Sequence, residues 1–466
     1  MTTSVDVTSF GAVGDGITDD SAAFAAALGS TASQIIVPPG IYCVENVQLP
    51  AGKHLQGAGP GQTTLKIVSG SSYNILTASL ANSVAVTGMT LDDTGATGTS
   101  HGLFVSQCAD VLLLDISTRN TPGHGIWLYD SPRARVDRIF IEAAGDWGMH
   151  VGGGNSVFST YSNIHTRNCA TIGVRARDCA LLTFSNISGS GNGGDSTTMS
   201  FYNANWCLAS NITEYDGALG DTVVIAGDSI GTWIRGVTAK NGGGHGASIS
   251  ATETGAPVDC HIVDAYFENQ GECLGCITDQ GEGNQPSNCS IRNVRGRNPG
   301  TVNPSEAFAI SNAVNCVITG SVIDTQGNML YAVQEHNGVG SSANNRFEID
   351  NWVPGTSGYF SLASPTSTIV HTRLERGYVQ KSDVDYNWDP AVDARQISFD
   401  APLTANRNLV LAPSWSGDRV RVVRSASGSF TLAVKQGGTT LKILNAAGDW
   451  VELYFDGTNW RLAADS

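Results

Sequence analysis

A dipeptide made of a large residue and glycine recurs along this chain on a steady beat: His101-Gly102, His124-Gly125, Trp147-Gly148, then Ile172-Gly173, with 23 residues between the first and second and between the second and third. A β-branched or aromatic run follows each opener, as in Gly102-Leu103-Phe104-Val105 and Gly125-Ile126-Trp127-Leu128. A polar turn comes next, then a second apolar alternation such as Val111 to Ile116, Val136 to Ile141 and Val157 to Ile164. A unit this small cannot bury its own apolar face, so successive units must stack into a solenoid. Strands this short, with no helical stretch between them, predict a parallel β-helix and not a βαβ array. The expected class is all-β.

Charge narrows the function. The 466 residues carry a net charge of −16 with only 15% Asp, Glu, Lys and Arg, which argues against a nucleic-acid partner. No apolar run reaches the roughly 18 residues of a membrane span, so no membrane insertion is expected. The first residues lack the basic and apolar parts of a signal peptide, so release by cell lysis is the expected route outside.

Ten cysteines raise the question of metal or disulfide chemistry. Cys108, Cys179, Cys207, Cys260, Cys289 and Cys316 each precede an apolar strand, which reads as one inward ladder of small reduced thiols. Cys273-Leu274-Gly275-Cys276 has CxxC spacing, but no second pair stands at zinc-site distance. No metal and no cofactor are expected.

Thr18 followed by Asp19, Asp20 and an alanine run predicts a short helix from Thr18 to Leu28. Around it stand Phe10-Gly11-Ala12-Val13-Gly14-Asp15-Gly16, Ile35-Ile36-Val37-Pro38-Pro39-Gly40 and Leu55-Gln56-Gly57-Ala58-Gly59. This block, over about residues 5 to 70, resembles the opening of the pectate-lyase-like right-handed parallel β-helix superfamily, and in particular its bacteriophage tailspike and depolymerase branch. The resemblance implies that residues 1–30 cap a β-helix spanning 31–375, which binds and cuts substrate. Residues 376–396 read as a linker packed on a neighbour, because Tyr386 and Trp388 do not suit a free tether. From Ile397 to Ser466 the pattern predicts a small antiparallel β-sandwich, with a hairpin turn at Asp456-Gly457. It resembles modules that close phage tail fibres, implying a trimerisation or glycan-binding role.

Rungs stack about 4.8 Å apart, so equivalent residues form columns. Aligning the ends of the second strands places Arg119, Arg167, Lys240 and Arg297 in one column, with Glu214 and Glu268 in the column beside it. Glycoside hydrolysis needs two carboxylates, about 5 Å apart for retention or about 6.5–9.5 Å for inversion. Glu214 and Glu268, two rungs apart, are the leading acid and base; Asp216, Glu142 and Asp146 are the other candidates. Arg119, Arg167, His165, Trp147, Tyr215 and Lys240 are the candidate substrate contacts, Trp147 and Tyr215 as stacking platforms. A lyase would instead use His165, Tyr215, Arg167 and Lys240 as base and carboxylate-neutralising cations. Seven arginines against four acids between Ile116 and Arg177 suit an anionic glycan. Asp130, Asp178, Asp228 and Asp279, each after a first strand, read as turn formers, and His101, His124 and His245 as turn or packing residues. Asp92-Asp93 is the nearest acid cluster to a calcium site, with a turn role preferred.

The resemblance implies a tailspike-like depolymerase acting on bacterial capsule, exopolysaccharide or O-antigen, as a homotrimer on a virion tail, joined through an adapter protein. The alternatives are a glycan-receptor fibre that does not cut, and a bacterial β-helix transglycosylase or epimerase.

Overall fold

The rungs are bent at residues held in the left-handed region of backbone space, and the bends repeat in columns. One column is Asp115, Arg138, Asn163, Asn186, Asn211, Gly236 and Asp264; another is Asn120, Ala143, Asn168, Gly191, Asp216, Asn241 and Asn269. Asparagine and aspartate tolerate this conformation better than other side chains. Here they also tie rung to rung: Asn186 donates to Asn163 at 3.0 Å and Asn211 to Asn186 at 3.2 Å. Asn241 donates to Asp216 at 2.7 Å, and Asn269 to Asn241 at 2.8 Å. This computed structural model describes residues 3–466 apart from 195, 280, 282, 304–305, 325–327, 337–341, 351–359, 362–368, 374–378, 390–394 and 415–416. Two compact units divide the chain, residues 1–271 and 272–466.

In the first unit, long strands Leu112–Arg119, Arg135–Glu142, Thr160–Arg167, Thr183–Ser190, Leu208–Tyr215, Trp233–Lys240 and His261–Glu268 pair in parallel, each with the next. A second parallel sheet is built from shorter strands, Leu103–Ser106, Ile126–Tyr129, Met149–Gly152, Val174–Ala180, Ser196–Asn205, Asp221–Ala226 and Ala247–Ser250. Both turn alternate residues inward, as the period of two requires. Ile116, Ile139, Ile164, Ile187, Ile212 and Val237 form one buried column of the long sheet. Val105, Leu128, Val151, Ala176, Phe201, Ile225 and Ile249 form one of the short sheet. The parallel β-helix expected from the repeat is the fold observed.

The opener glycine has a steric cause. A β-carbon on Gly125 would lie 2.5 Å from Ile141 Cγ2 and 2.8 Å from the Gly148 carbonyl oxygen; one on Gly246 would lie 2.5 Å from Phe267 Cγ. The chain passes so close over the inward residue ending the long strand that no side chain fits.

The capping helix, α1 (Ser21–Gly29), starts three residues later than expected. Thr18 lies in the strand Asp15–Asp19, where the Asp15 carboxylate accepts from the Ile17 and Thr18 amides and the Thr18 hydroxyl. Asp20 is the N-cap residue, and its carboxylate instead accepts the Val13 and Gly14 amides. Phe24, Ala27 and Leu28 bury the inner side of α1.

All ten cysteines are buried and unbridged. Of the six expected in one ladder, the four in the first unit fall into two columns, three residues apart, while Cys289 and Cys316 of the second unit align with each other. Strand register puts Cys108 and Cys179 in line with Ser131, Ser156 and Ala204, and puts Cys207 and Cys260 in line with Thr232. Each column sits on a tight turn: Cys108, Cys207, Cys260, Cys289 and Cys316 each point Sγ at the carbonyl two residues back, at 3.2–3.5 Å. Ser131 bonds the Tyr129 carbonyl in the same way, which is why serine alternates with cysteine there.

In the second unit parallel rungs continue through Val317–Asp324, Arg346–Asp350 and Ile369–Arg373. The rung residues Tyr359, Leu362 and Thr368, with Glu375 and Pro390 of the expected linker, lie outside the described residues. The 376–396 segment carries strands: Val379–Lys381 pairs in parallel with Gln396–Phe399, and Tyr386–Trp388 with Arg407–Leu411. Antiparallel pairing begins only after further parallel pairs, between Arg419–Arg424 and Trp450–Phe455 and between Leu432–Gln436 and Thr439–Leu444. Trp388 is 1% exposed, edge-on to Trp460 at 5.5 Å within this module's own core. Its burial therefore needs no neighbouring chain and does not argue for a trimer.

Candidate functional site

The last position of each long strand in the first unit forms one column: Asp92, Arg119, Glu142, Arg167, Ser190, Tyr215, Lys240 and Glu268. Glu142 and Glu268 are thus in line with the cations and not beside them. Arg119 pairs with Asp92 at 2.8 Å, Arg167 with Glu142 at 3.7 Å and Lys240 with Glu268 at 3.5 Å. At this exposure each pair contributes at most about 1 kcal/mol.

Glu214 keeps its expected place in the column beside the cations, with Thr118, Ile141, Thr166, Gly189, Ala239 and Phe267, but that column faces inward and Glu214 is 4% exposed; Glu268 is the one that departs, by one residue, into the cation column. A slip of one residue reverses the face of a strand. Glu214 and Glu268 therefore point to opposite sides of the long sheet and do not form an acid–base pair. Asp216 occupies a left-handed bend, its carboxylate engaged by Asn241. Arg297 belongs to the second unit, in register with Asp324. His165 faces outward, stacked on Phe140 at 5.2 Å and bonded to Ser188 at 2.7 Å; desolvation lowers its pKa.

Asp130 and Asp178 are left-handed turn residues, as expected. Asp228 is not in their column, because Gly227 takes the bend. Asp279 is buried and accepts from Asn312 at 2.7 Å.

The short sheet carries a cluster that the column argument missed. Its outward positions run Phe104, Trp127, His150, Arg175 and Ser200, and two residues on Ser106, Tyr129, Gly152, Arg177 and Tyr202. Trp127 lies flat on His150 with ring centres 5.4 Å apart. Alongside, the opener residues make a second stack, His101 on His124 at 4.9 Å and His124 on Trp147 at 4.8 Å. The Arg175 guanidinium sits 4.7 Å from the Trp147 ring and 5.0 Å from Tyr202, and Arg177 caps Tyr202 from 5.0 Å. The residue types before each opener glycine were the available signal: His, His and Trp are costly choices for a plain turn.

The histidines are neutral. Burial pulls His101 and His124 down to about 4, and burial lowers His150 further, helped by His124 and the two arginines. His101 Nδ1 accepts the His124 amide at 2.9 Å and His124 Nδ1 accepts the Trp147 amide at 3.3 Å, so each carries its proton on Nε2. The 3.5 Å approach of Asp146 to His124 Nδ1 is for that reason a polar contact and not an ion pair.

Asp146 and Trp147 lie in the six-residue turn that joins Glu142, the end of a long strand, to Met149, the start of a short one. The Asp146 side chain is 43% exposed, and Thr171 donates its hydroxyl to Oδ1 at 3.0 Å. Of the expected site, Asp146 and Trp147 thus share this turn, and Glu142, paired with Arg167, ends the strand that leads into it.

Asp92 has the turn role expected of it, accepting from the Thr94 amide and hydroxyl. Asp93 does not. It is 1% exposed, neither carboxyl oxygen has a hydrogen-bond partner, and desolvation and the neighbouring Asp92 charge push its pKa up to about 7. Its unfolded value is about 3.9. Below that pH the group is protonated in both states; between about 4 and 7 the unfolded chain ionises while the folded one holds its proton, so stability falls across that window and is fully lost once pH has risen through 7, where the folded state carries the buried charge. Asp93→Asn is expected to leave stability unchanged at pH 4 and to raise it by roughly 2–4 kcal/mol at pH 8, measured by denaturant unfolding across pH.

Among the described residues no three His, Cys, Asp or Glu side chains converge on a metal position, and no helix is long and apolar enough to cross a membrane.

Comparison with known proteins places this geometry. Residues 4–248 match the family described as rhamnogalacturonase A/epimerase, pectate lyase-like. A search of curated proteins finds no match. Among solved structures, the A-module of the mannuronan C-5 epimerase AlgE4 of Azotobacter vinelandii superposes with a TM-score of 0.52 at 18% identity, over 79% of this chain and 99% of that one. The catalytic domain of a GH87 α-1,3-glucanase bound to nigerose superposes at 0.53 and 14% identity, over 80% and 68%. The N-terminal fragment of bacteriophage phi29 gene product 12 reaches 0.49 at 15% identity, over 99% and 95%. At these identities the likeness is one of fold. The family match spans more than half of the sequence, including every rung of the aromatic cluster and the Asp146 corner: the chain belongs to the rhamnogalacturonase A/epimerase, pectate-lyase-like family.

Proposed function

We propose that this protein is a polysaccharide-cleaving enzyme that lays a bacterial surface glycan along the outward face of the short sheet and cuts it at the Asp146 corner. The observation that carries this reading is the double ring stack of Trp127–His150 and His101–His124–Trp147, flanked by Arg175 and Arg177. The half-buried Trp127 and Trp147 leave apolar ring surface for contact with sugars, guanidinium forks bind carboxylate or hydroxyl groups, and rungs repeating every 4.8 Å or so supply successive subsites. Family membership supports a glycan over other ligands.

Asp146 is the leading proton-transfer group because it is the accessible carboxylate beside the stack; Glu142, held by Arg167, is the second carboxylate. The long-strand column of paired charges acts as an outer wall that orients the chain. Hydrolysis is the favoured reaction, since it needs two carboxylates and this turn holds one and is preceded by another. The test is incubation of the protein with purified capsule, exopolysaccharide and O-antigen, following reducing ends together with the ultraviolet absorbance of an unsaturated uronate. Reducing ends without absorbance are expected. Absorbance growing with the ends would replace hydrolysis by elimination, and binding without either product would leave a glycan-receptor protein.

A further inference from the structure

We infer that a ridge of exposed apolar residues on the first unit is a contact surface for a second copy of this chain, packed alongside with the rungs in register. The ridge follows the bend column two residues before each long strand: Asp110, Arg133, Phe158, Leu181, Trp206, Gly231 and Asp259, all at positive φ. The ends of this column hold residues that suit an exposed left-handed bend. Its centre does not. Phe158 (φ 54), Leu181 (φ 57) and Trp206 (φ 55) are bulky side chains in a conformation that disfavours them, and they are 66, 43 and 59% exposed. Nothing within the rung requires them, since Asn, Asp or Gly serves the same bend elsewhere in the solenoid.

Neighbouring positions extend the ridge. Ile230 is 41% exposed, and Val258 and Leu208 are each 37% exposed. Gly231 makes room for the Trp206 indole, which a β-carbon there would meet at 2.4 Å. Six apolar side chains on five successive rungs thus form one strip. At these exposures they offer about 500 Å² per copy, or about 1,000 Å² for a pair, which is the lower bound for a specific interface.

Three features point to a second copy as the occupant. The strip runs along the stacking direction with the pitch of the rungs, and another stack of the same rungs has that pitch. Rotation about an axis parallel to the stacking direction sets Phe158 against Phe158 and Trp206 against Trp206, apolar against apolar along the whole length. Its ends tolerate this arrangement: Arg133 is neutralised by Asp110 through two bonds of 2.8 and 2.9 Å, and Asp259 is engaged by His261 at 3.2 Å. A chain of net charge −16 repels its copies elsewhere, whereas the strip itself carries no charge.

The test uses the full chain with Phe158, Leu181 and Trp206 all changed to Asn. Asparagine suits the bend, so the triple variant should fold at least as stably as the parent. Sedimentation of the parent at micromolar concentration should show an oligomer, and the variant should associate at least a hundredfold more weakly, with an unchanged circular dichroism spectrum. Because every native cysteine is buried, a single introduced thiol can be oxidised selectively. Phe158→Cys should give a covalent dimer with itself. Cross-linking only when Phe158→Cys is mixed with Trp206→Cys would mean an antiparallel pair and would overturn the parallel arrangement. A monomeric parent, or a triple variant that stays oligomeric, refutes the proposal. If a monomeric parent loses glycan binding through the triple change, the ridge is a sugar platform instead.

Discussion

Asp146→Asn is expected to lower turnover of the polysaccharide at least about a hundredfold, the usual contribution of one general acid or base. The amide keeps the shape of the side chain, including its bond from Thr171 at 3.0 Å, so the corner should hold its conformation. What is lost is the capacity to take up or give a proton. The fall should appear in kcat more than in KM, because the rings and arginines proposed to hold the sugar are untouched. Glu268→Gln, which disturbs only an exposed pair with Lys240, should stay within a few-fold of the parent. If Asp146→Asn retains full activity, the proton donor is elsewhere and the corner only binds.

The second large effect concerns the fold. Gly125→Ala adds one carbon where Ile141 Cγ2 would be 2.5 Å away, the Thr118 hydroxyl 2.7 Å and the Gly148 carbonyl oxygen 2.8 Å. Two of those neighbours are side chains of the buried column and the third is backbone of the next rung, so none can withdraw without disturbing the stack. Overpacking of this kind costs about 1–3 kcal/mol or more, and Gly125→Val should prevent folding of the central rungs. Gly52→Ala is a poor control because its φ of 73° adds strain of its own, whereas Gly29→Ala, at the end of α1 with open space around it, should be tolerated. Denaturant unfolding of purified variants, with yield of soluble protein for the valine, reads the difference.

The parallel β-helix was legible because its cause is local. Each opener glycine and each β-branched run is written into one rung, and the sequence repeats them often enough to fix the stacking. The cap helix was legible as an element but not in its start, since Asp15, Asp19 and Asp20 can each bond nearby amides and only their competition decides where the helix begins. The site was harder to read. Columns of a solenoid depend on register to the single residue, and a bend residue such as Ala143 or Asn269 looks from sequence like one more strand position. Counting it as such moved Glu142 and Glu268 out of the cation column and set Glu268 in line with Glu214, whose own position was right but whose inward face was missed. The ring cluster was missed because its members come from two separate tracks, the residue before each glycine and the second residue after it, and only folding the turn sets them side by side.

The two thiol columns have a consequence for how the protein fails. While folded, ten reduced cysteines sit out of reach of any oxidant larger than the gaps between rungs. Once the stack opens they are released together, on one flexible chain, into whatever medium surrounds it. In an oxidising setting they would join at random within seconds to hours, and few of the resulting pairings could be accommodated in a stack whose ten thiols are all unbridged. Denaturation outside a cell should therefore be a one-way event, and the working lifetime of the protein there is set by how slowly its rungs first separate.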